Sequence, residues 1–284
     1  MCRDPCLGLG VALKSMDILE KIVVYKKQEV EDRKELFPVK LLEKSIHFGV
    51  QPVSLKKYLT REDKSGLIAE IKRKSPSMGY INKYVSVEKT SIGYMQAGAS
   101  ALSILTDTEF FAGKNEDLTT ARKFNFCPIL RKDFIIDEYQ VIEAKSIGAD
   151  AILLIAACLE PVRVKKLAQL ARSLGMEVLL EIHDKKEADR YIMPEVDLVG
   201  VNNRDLKTFN TDIKTSVSLA SSIPDDFVKV SESGIEDPAK IIELREHGYM
   251  GFLVGTSFMK SSRPEKACQR FVEELKKLEK ERAV

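Results

Sequence analysis

The sequence predicts an α/β fold, a (β/α)8 TIM barrel with additional N-terminal helices, and three observations carry that expectation. Short β-branched apolar runs alternate with helical stretches, the pattern of a parallel sheet with helices outside it. There are eight such runs, the number that closes a parallel sheet into a barrel. The 284 residues suit one barrel domain, which takes about 250, plus an appendage.

Taken in order, residues 1–15 are expected to be a disordered extension. Leu7–Leu13 is apolar but Gly-rich and lacks a signal-peptide cleavage site. Asp17 can cap a helix starting at Ile18. Leu19, Ile22 and Val23, then Leu41, Leu42 and Ile46, recur at helical spacing, and Pro38 interrupts them. This reads as one or two exposed helices. Ser54 can cap a further short helix, Leu55–Tyr58. One domain, 16–284, is expected, with a helical extension over 17–60 and a barrel core over 66–284. The eight runs are Leu67–Ile71, Ala101–Leu105, Pro128–Leu130, Ala151–Ala156, Val178–Ile182, Leu198–Val201, Phe227–Val230 and Phe252–Val254. Gly98, Gly148 and Gly248 stand where helices should end before strands. The last helix runs from Pro264 to about Glu281, with Phe271, Leu275 and Leu278 on one face. No G-x-G-x-x-G follows the first run, which argues against a dinucleotide-binding sheet.

Composition excludes several classes of function. Lys and Arg number 45 against 43 Asp and Glu, and no long basic stripe offers a nucleic-acid surface. The longest apolar run, Ala151–Leu159, falls short of the roughly 17 residues that span a bilayer, so no membrane partner is expected. Cys2, Cys6, Cys127, Cys158 and Cys268 form neither a zinc pattern nor a disulfide framework, and a cytoplasmic setting follows as the default. No metal site is expected.

Barrel chemistry sits at the C-terminal ends of strands. The first run ends with Glu70 and Lys72, two apart and therefore on one face, pointing inward. The third ends at Lys132, the fifth at Glu181, and the sixth runs into Asn202 and Arg204. Charges turned into a barrel mouth either plug it as ion pairs or are used in chemistry. The seventh and eighth runs end in Ser231-Glu232-Ser233-Gly234-Ile235 and Val254-Gly255-Thr256-Ser257. Small turns after these two strands form the common phosphate site of the fold.

Five strings resemble indole-3-glycerol-phosphate synthases, in order and at family-like spacing. They are Ile68-Ala69-Glu70-Ile71-Lys72-Arg73-Lys74-Ser75-Pro76-Ser77, Ala101-Leu102-Ser103-Ile104-Leu105-Thr106, Arg131-Lys132-Asp133-Phe134-Ile135, Asn202-Asn203-Arg204-Asp205-Leu206 and the Ser231–Ile235 turn. The similarity runs from about residue 17 to the C-terminus. It implies a small sugar-phosphate substrate, 1-(o-carboxyphenylamino)-1-deoxyribulose 5-phosphate, that is cyclised, decarboxylated and dehydrated without metal or organic cofactor. It also implies Lys132 as the acid for ring closure and Lys72 as a substrate-binding acid for dehydration. Glu181 and Glu70 become charge stabiliser and base, in an order left open. Asn202, Arg204 and Ser77 would orient substrate, with Phe111 and Phe134 against its ring or in the core. Ser75, Ser233, Gly234, Gly255 and Thr256 would hold phosphate. Arg131 and Thr256 depart slightly from the family pattern. Arg131 points away from the Lys132 face and Thr256 keeps a hydroxyl. His183 is expected in a supporting position. A monofunctional monomer is expected, with a Schiff-base aldolase or a non-catalytic phosphate-binding barrel as alternatives.

Overall fold

The computed structural model describes residues 17–205 and 208–282, so the expectation for residues 1–15 lies outside the described residues. Eight parallel strands close a barrel: β1 (Leu67–Ile71), β2 (Ala101–Leu105), β3 (Ile129–Lys132), β4 (Ala151–Ile155), β5 (Glu177–Ile182), β6 (Leu198–Asn202), β7 (Val228–Glu232) and β8 (Tyr249–Val254). Closure is made by β8 on β1, with Phe252 opposite Leu67. Each apolar run of the sequence overlaps one strand. The largest difference is at β8, which starts at Tyr249 and carries a register shift between Tyr249 and Gly251. Met250 at that irregularity is exposed, and Gly251 after it interrupts the apolar run by which the strand is read.

Alternation along the strands splits the apolar residues into two cores. Ile68, Ala101, Leu130, Ala151, Leu179, Leu198 and Val228 fill the barrel. Their neighbours, such as Leu67, Leu102, Ile129 and Ile152, face the surrounding helices. Three helices precede the barrel: α1 (Ile18–Leu36), α2 (Val39–Leu42) and α3 (Leu55–Leu59). Ser54 caps α3 through the Lys57 N–H, and its own hydroxyl donates to Glu177 at the start of β5. α3 thereby sits under the barrel, and its Leu55 and Leu59 complete the inner core. Each such burial contributes about 1.5–3 kcal/mol. No helix among the described residues is long and apolar enough to cross a membrane.

Asp17 and Glu20 form a capping box at the start of α1, and Phe37 leaves helical geometry ahead of Pro38, where α1 stops. The expectation of a merely exposed helix fails for α1, which buries Ile22, Lys26 and Val30. Lys26 Nζ lies 3.0 Å from Asp107, 3.0 Å from Asp133 and 2.6 Å from Glu29. Burial opposes its charge, yet the carboxylates of Asp133, Asp107 and Glu29 hold its pKa above the ordinary lysine value. The network continues outside the barrel. Arg131, as expected on the face away from Lys132, is buried against Asp133 at 3.2 Å and Glu143 at 2.6 Å. Arg33 of α1 reaches the same Glu143 at 2.5 Å. Lys26→Met leaves Asp107 and Glu29 without their cation and Asp133 with Arg131 alone, and is expected to cost about 3–5 kcal/mol of stability. Urea unfolding measures this, and an unchanged midpoint would show that the carboxylates find other partners.

Candidate active site

The strand register sorts the inward side chains into tiers. Glu70 lies opposite Ser103, and Ser103 opposite Leu130, so Lys132 is the next inward position above Leu130. The same stagger leads to Glu181 on β5, to Glu232 on β7, and back to Glu70 on β1. One residue from each odd-numbered strand therefore makes a single layer, as in barrels of this type. In this chain that layer is charged: Glu70, Lys132, Glu181 and Glu232.

Contacts within the layer are short. Lys132 Nζ donates to Glu181 at 2.8 Å and to Glu232 at 2.7 Å. Lys72 donates to Glu70 at 2.6 Å. The Asn202 amide donates to the other Glu181 oxygen at 3.0 Å. Glu70, Glu181 and Glu232 are all buried. Burial alone would disfavour the charge on Glu181, but Lys132, His183 and the Asn202 amide bring its pKa down to about 2. Burial drives Glu232 the other way, up to about 7, with Lys132 opposing and the Glu181 charge adding to the rise. Burial disfavours the Lys132 ammonium, yet Glu181 and Glu232 keep its pKa above the ordinary value. Two carboxylates on one ammonium thus divide: one stays ionised and one titrates near neutrality.

Above this layer opens a cavity of about 250 Å³, and every candidate site residue of the sequence lines it. Phe111 and Phe134 stand 5.9 Å apart, ring to ring, at 38°. Asp107 holds the turn carrying Phe111 by accepting from the backbone N–H of Phe110 at 2.7 Å and of Phe111 at 3.1 Å. Arg204 donates to Ser77 at 3.4 Å, joining the loops after β6 and β1, and Ser75 lies 3.5 Å from Ser77, hydroxyl to hydroxyl. Ser233, Gly234, Gly255 and Thr256 line the cavity together with Lys260. Ser233 and Gly234 both have left-handed backbones, with φ of 68° and 77°. Asn203 fixes this turn from below: its amide donates to the Ser233 carbonyl at 3.0 Å and the Ser231 hydroxyl at 2.9 Å. The adjacent asparagines of one motif so do different work, Asn202 in the cavity and Asn203 beneath it.

Sequence reasoning missed two contributors. Glu232 stands in the Ser231–Ile235 string but was assigned to a turn, whereas it ends β7 facing inward. The two-residue alternation Val228, Val230, Glu232, the same signal that singles out Glu70 and Lys72, identifies it. Ile18, Leu19 and Ile22 of α1 also wall the cavity, which local spacing does not disclose. His183 is not a cavity-lining residue. Its Nε2 lies 3.4 Å from Glu181 and its Nδ1 3.3 Å from Glu187.

A closed parallel barrel with a charged layer below an apolar and hydroxyl-lined mouth has the architecture of a TIM-barrel enzyme. Comparison with known proteins narrows this. The family profile described as indole-3-glycerol phosphate synthase matches residues 19–271. Indole-3-glycerol phosphate synthase of Bacteroides thetaiotaomicron is 48% identical over 256 residues, covering 90% of this chain and 98% of the relative. That of Caldanaerobacter subterraneus subsp. tengcongensis is 42% identical, covering 86% and 93%. That of Bordetella pertussis is 40% identical, covering 87% and 96%. The chain belongs to the indole-3-glycerol phosphate synthase family. A solved structure described as "Native KDPGal structure" superposes with a TM-score of 0.53 at 13% identity, covering 76% of this chain and 94% of that one, a likeness of fold alone.

Proposed function

We propose that the chain converts 1-(o-carboxyphenylamino)-1-deoxyribulose 5-phosphate to indole-3-glycerol phosphate in tryptophan biosynthesis, with Lys132 as the acid of ring closure. The observation that carries this assignment is Lys132 held between Glu181 and Glu232 at the cavity floor. Closure joins an aromatic carbon to the sugar carbonyl carbon, and negative charge develops on the carbonyl oxygen. That alkoxide is a stronger base than an amine, so an ammonium whose pKa is held up still protonates it. CO₂ then leaves as the iminium nitrogen accepts the electron pair. Dehydration needs an acid for the departing hydroxyl and a base for the ring proton. Lys72 serves as the acid. Glu181 remains ionised and stabilises the cationic intermediate, while Glu232, with a pKa near 7, is the carboxylate suited to take the proton. Glu70 holds Lys72. Phe111 and Phe134 pack on the anthranilate ring, and Asn202, Arg204 and Ser77 orient the substrate.

The phosphate is assigned to Ser75, Ser233, Gly234, Gly255 and Thr256. A side chain at Gly234 would place Cβ 2.6 Å from Thr211 Cγ2 on a left-handed backbone. Gly234→Ala is therefore expected to lower the melting temperature and to raise KM roughly tenfold, the effect of about 1.4 kcal/mol. An unchanged KM would move the phosphate elsewhere.

Indole fluorescence measures turnover directly, because the chain contains no tryptophan. Failure of the purified protein to form the indole product would reject the assignment. A cytoplasmic monomer is the accompanying reading, its location supported by five cysteines that form no disulfide framework, and light scattering tests the monomer.

A further inference from the structure

Directly beneath the charged layer lies a layer from the even-numbered strands: Ser103, Leu153, Gly200 and Leu253. Gly200 stands between Glu181 on one side and Val230 on the other in the register. Its backbone is ordinary strand, so no turn requires a glycine there. What requires it is Glu232. A Cβ built on Gly200 would meet Glu232 Oε1 at 2.2 Å and Cδ at 3.3 Å, with Leu179 Cδ1 at 3.2 Å on its flank. The two oxygens of Glu232 therefore have distinct seats. Oε2 accepts from Lys132 at 2.7 Å, while Oε1 is buried without a hydrogen-bond partner and rests over the bare Cα of Gly200.

We infer that Gly200 is a positioning residue for the reaction: its missing side chain is the seat that lets the Glu232 carboxylate lie level with Lys132 and Glu181. Gly255 stands in the same relation to Glu70, with a built Cβ 2.4 Å from Glu70 Oε1. Its place in the phosphate turn makes it the less discriminating position to test. At Gly200 the obstructing atom is the free end of a side chain, so an added methyl displaces the carboxylate and leaves the strand in place. The bond from Lys132 to Glu232 is then lost, and the unpartnered oxygen is pushed out of its seat. The inference rests on the catalytic reading given above.

The test is Gly200→Ala, alone and with Glu232→Asp. Aspartate is one methylene shorter and vacates the space the new methyl needs. Gly200→Ala is expected to lower kcat about a hundredfold, as small misplacements of catalytic groups do. KM should stay within about twofold, because ground-state contacts are untouched. The double variant should be no slower than Glu232→Asp alone, the non-additivity of two residues sharing one space. Unchanged kcat in Gly200→Ala, or losses that multiply in the double variant, would overturn the inference. A crystal structure of Gly200→Ala tests it without reference to turnover. Displacement of the carboxylate from Lys132 supports it, and retention of the 2.7 Å bond refutes it. An inactive parent protein with a displaced carboxylate would sink the catalytic reading alone.

Discussion

Lys132→Ala is expected to lower kcat by at least about 10²–10⁴-fold, the range of general acid catalysis, in a protein that still folds. Removing the ammonium leaves Glu181 and Glu232 buried side by side, which ordinarily makes both charges untenable. Glu232 already titrates near 7, so it can take up a proton and hold the pair at one negative charge. The variant should therefore keep its far-UV circular dichroism and a cooperative melt. Wild-type turnover in a folded Lys132→Ala protein would remove Lys132 from the mechanism while leaving the family assignment intact.

The second large effect concerns pH. In the free enzyme kcat/KM should rise as pH passes upward through about 7, because Glu232 must be ionised to accept the ring proton. Glu232→Gln should lose that limb along with most of the activity. Stability carries the same group with the opposite slope. A carboxyl whose folded pKa is raised contributes stability that is complete below the ordinary carboxylate pKa and is lost as pH rises through about 7. The melting temperature of the parent should therefore fall between pH 5.5 and 8 (about the span between the ordinary carboxylate range and full ionisation) more than that of Glu232→Gln. Coincident pH profiles for the two proteins would assign the ionisation to another group.

Much of this is legible in the sequence alone, for physical reasons. Barrel strands are buried on both faces, so they appear as short continuous apolar runs, and eight of them admit few closed arrangements. Glu70, Lys72, Lys132 and Glu181 stand out because charge interrupts such runs at strand ends. Asp17, Pro38 and Ser54 mark helix limits through local chemistry that needs no tertiary context. Lys26 carries no such mark. It sits in a Lys- and Glu-rich helix, and only folding brings Asp107 and Asp133 from two later strand ends to meet it. Glu232 is present in the same string, but the glycine and serines beside it announce a turn more loudly than the alternation that places it inside. Gly200 was unreadable as a seat until the neighbouring strand was in place.

The role proposed for Lys132, protonating the carbonyl oxygen during ring closure, falls ahead of decarboxylation. Release of labelled CO₂ from carboxyl-labelled substrate separates those early steps from dehydration. Lys132→Ala should release no CO₂ above the uncatalysed background, whereas Lys72→Ala should release it while indole product lags behind. CO₂ released by Lys132→Ala at the parent rate, without indole formation, would exclude Lys132 from ring closure and move it to the dehydration step.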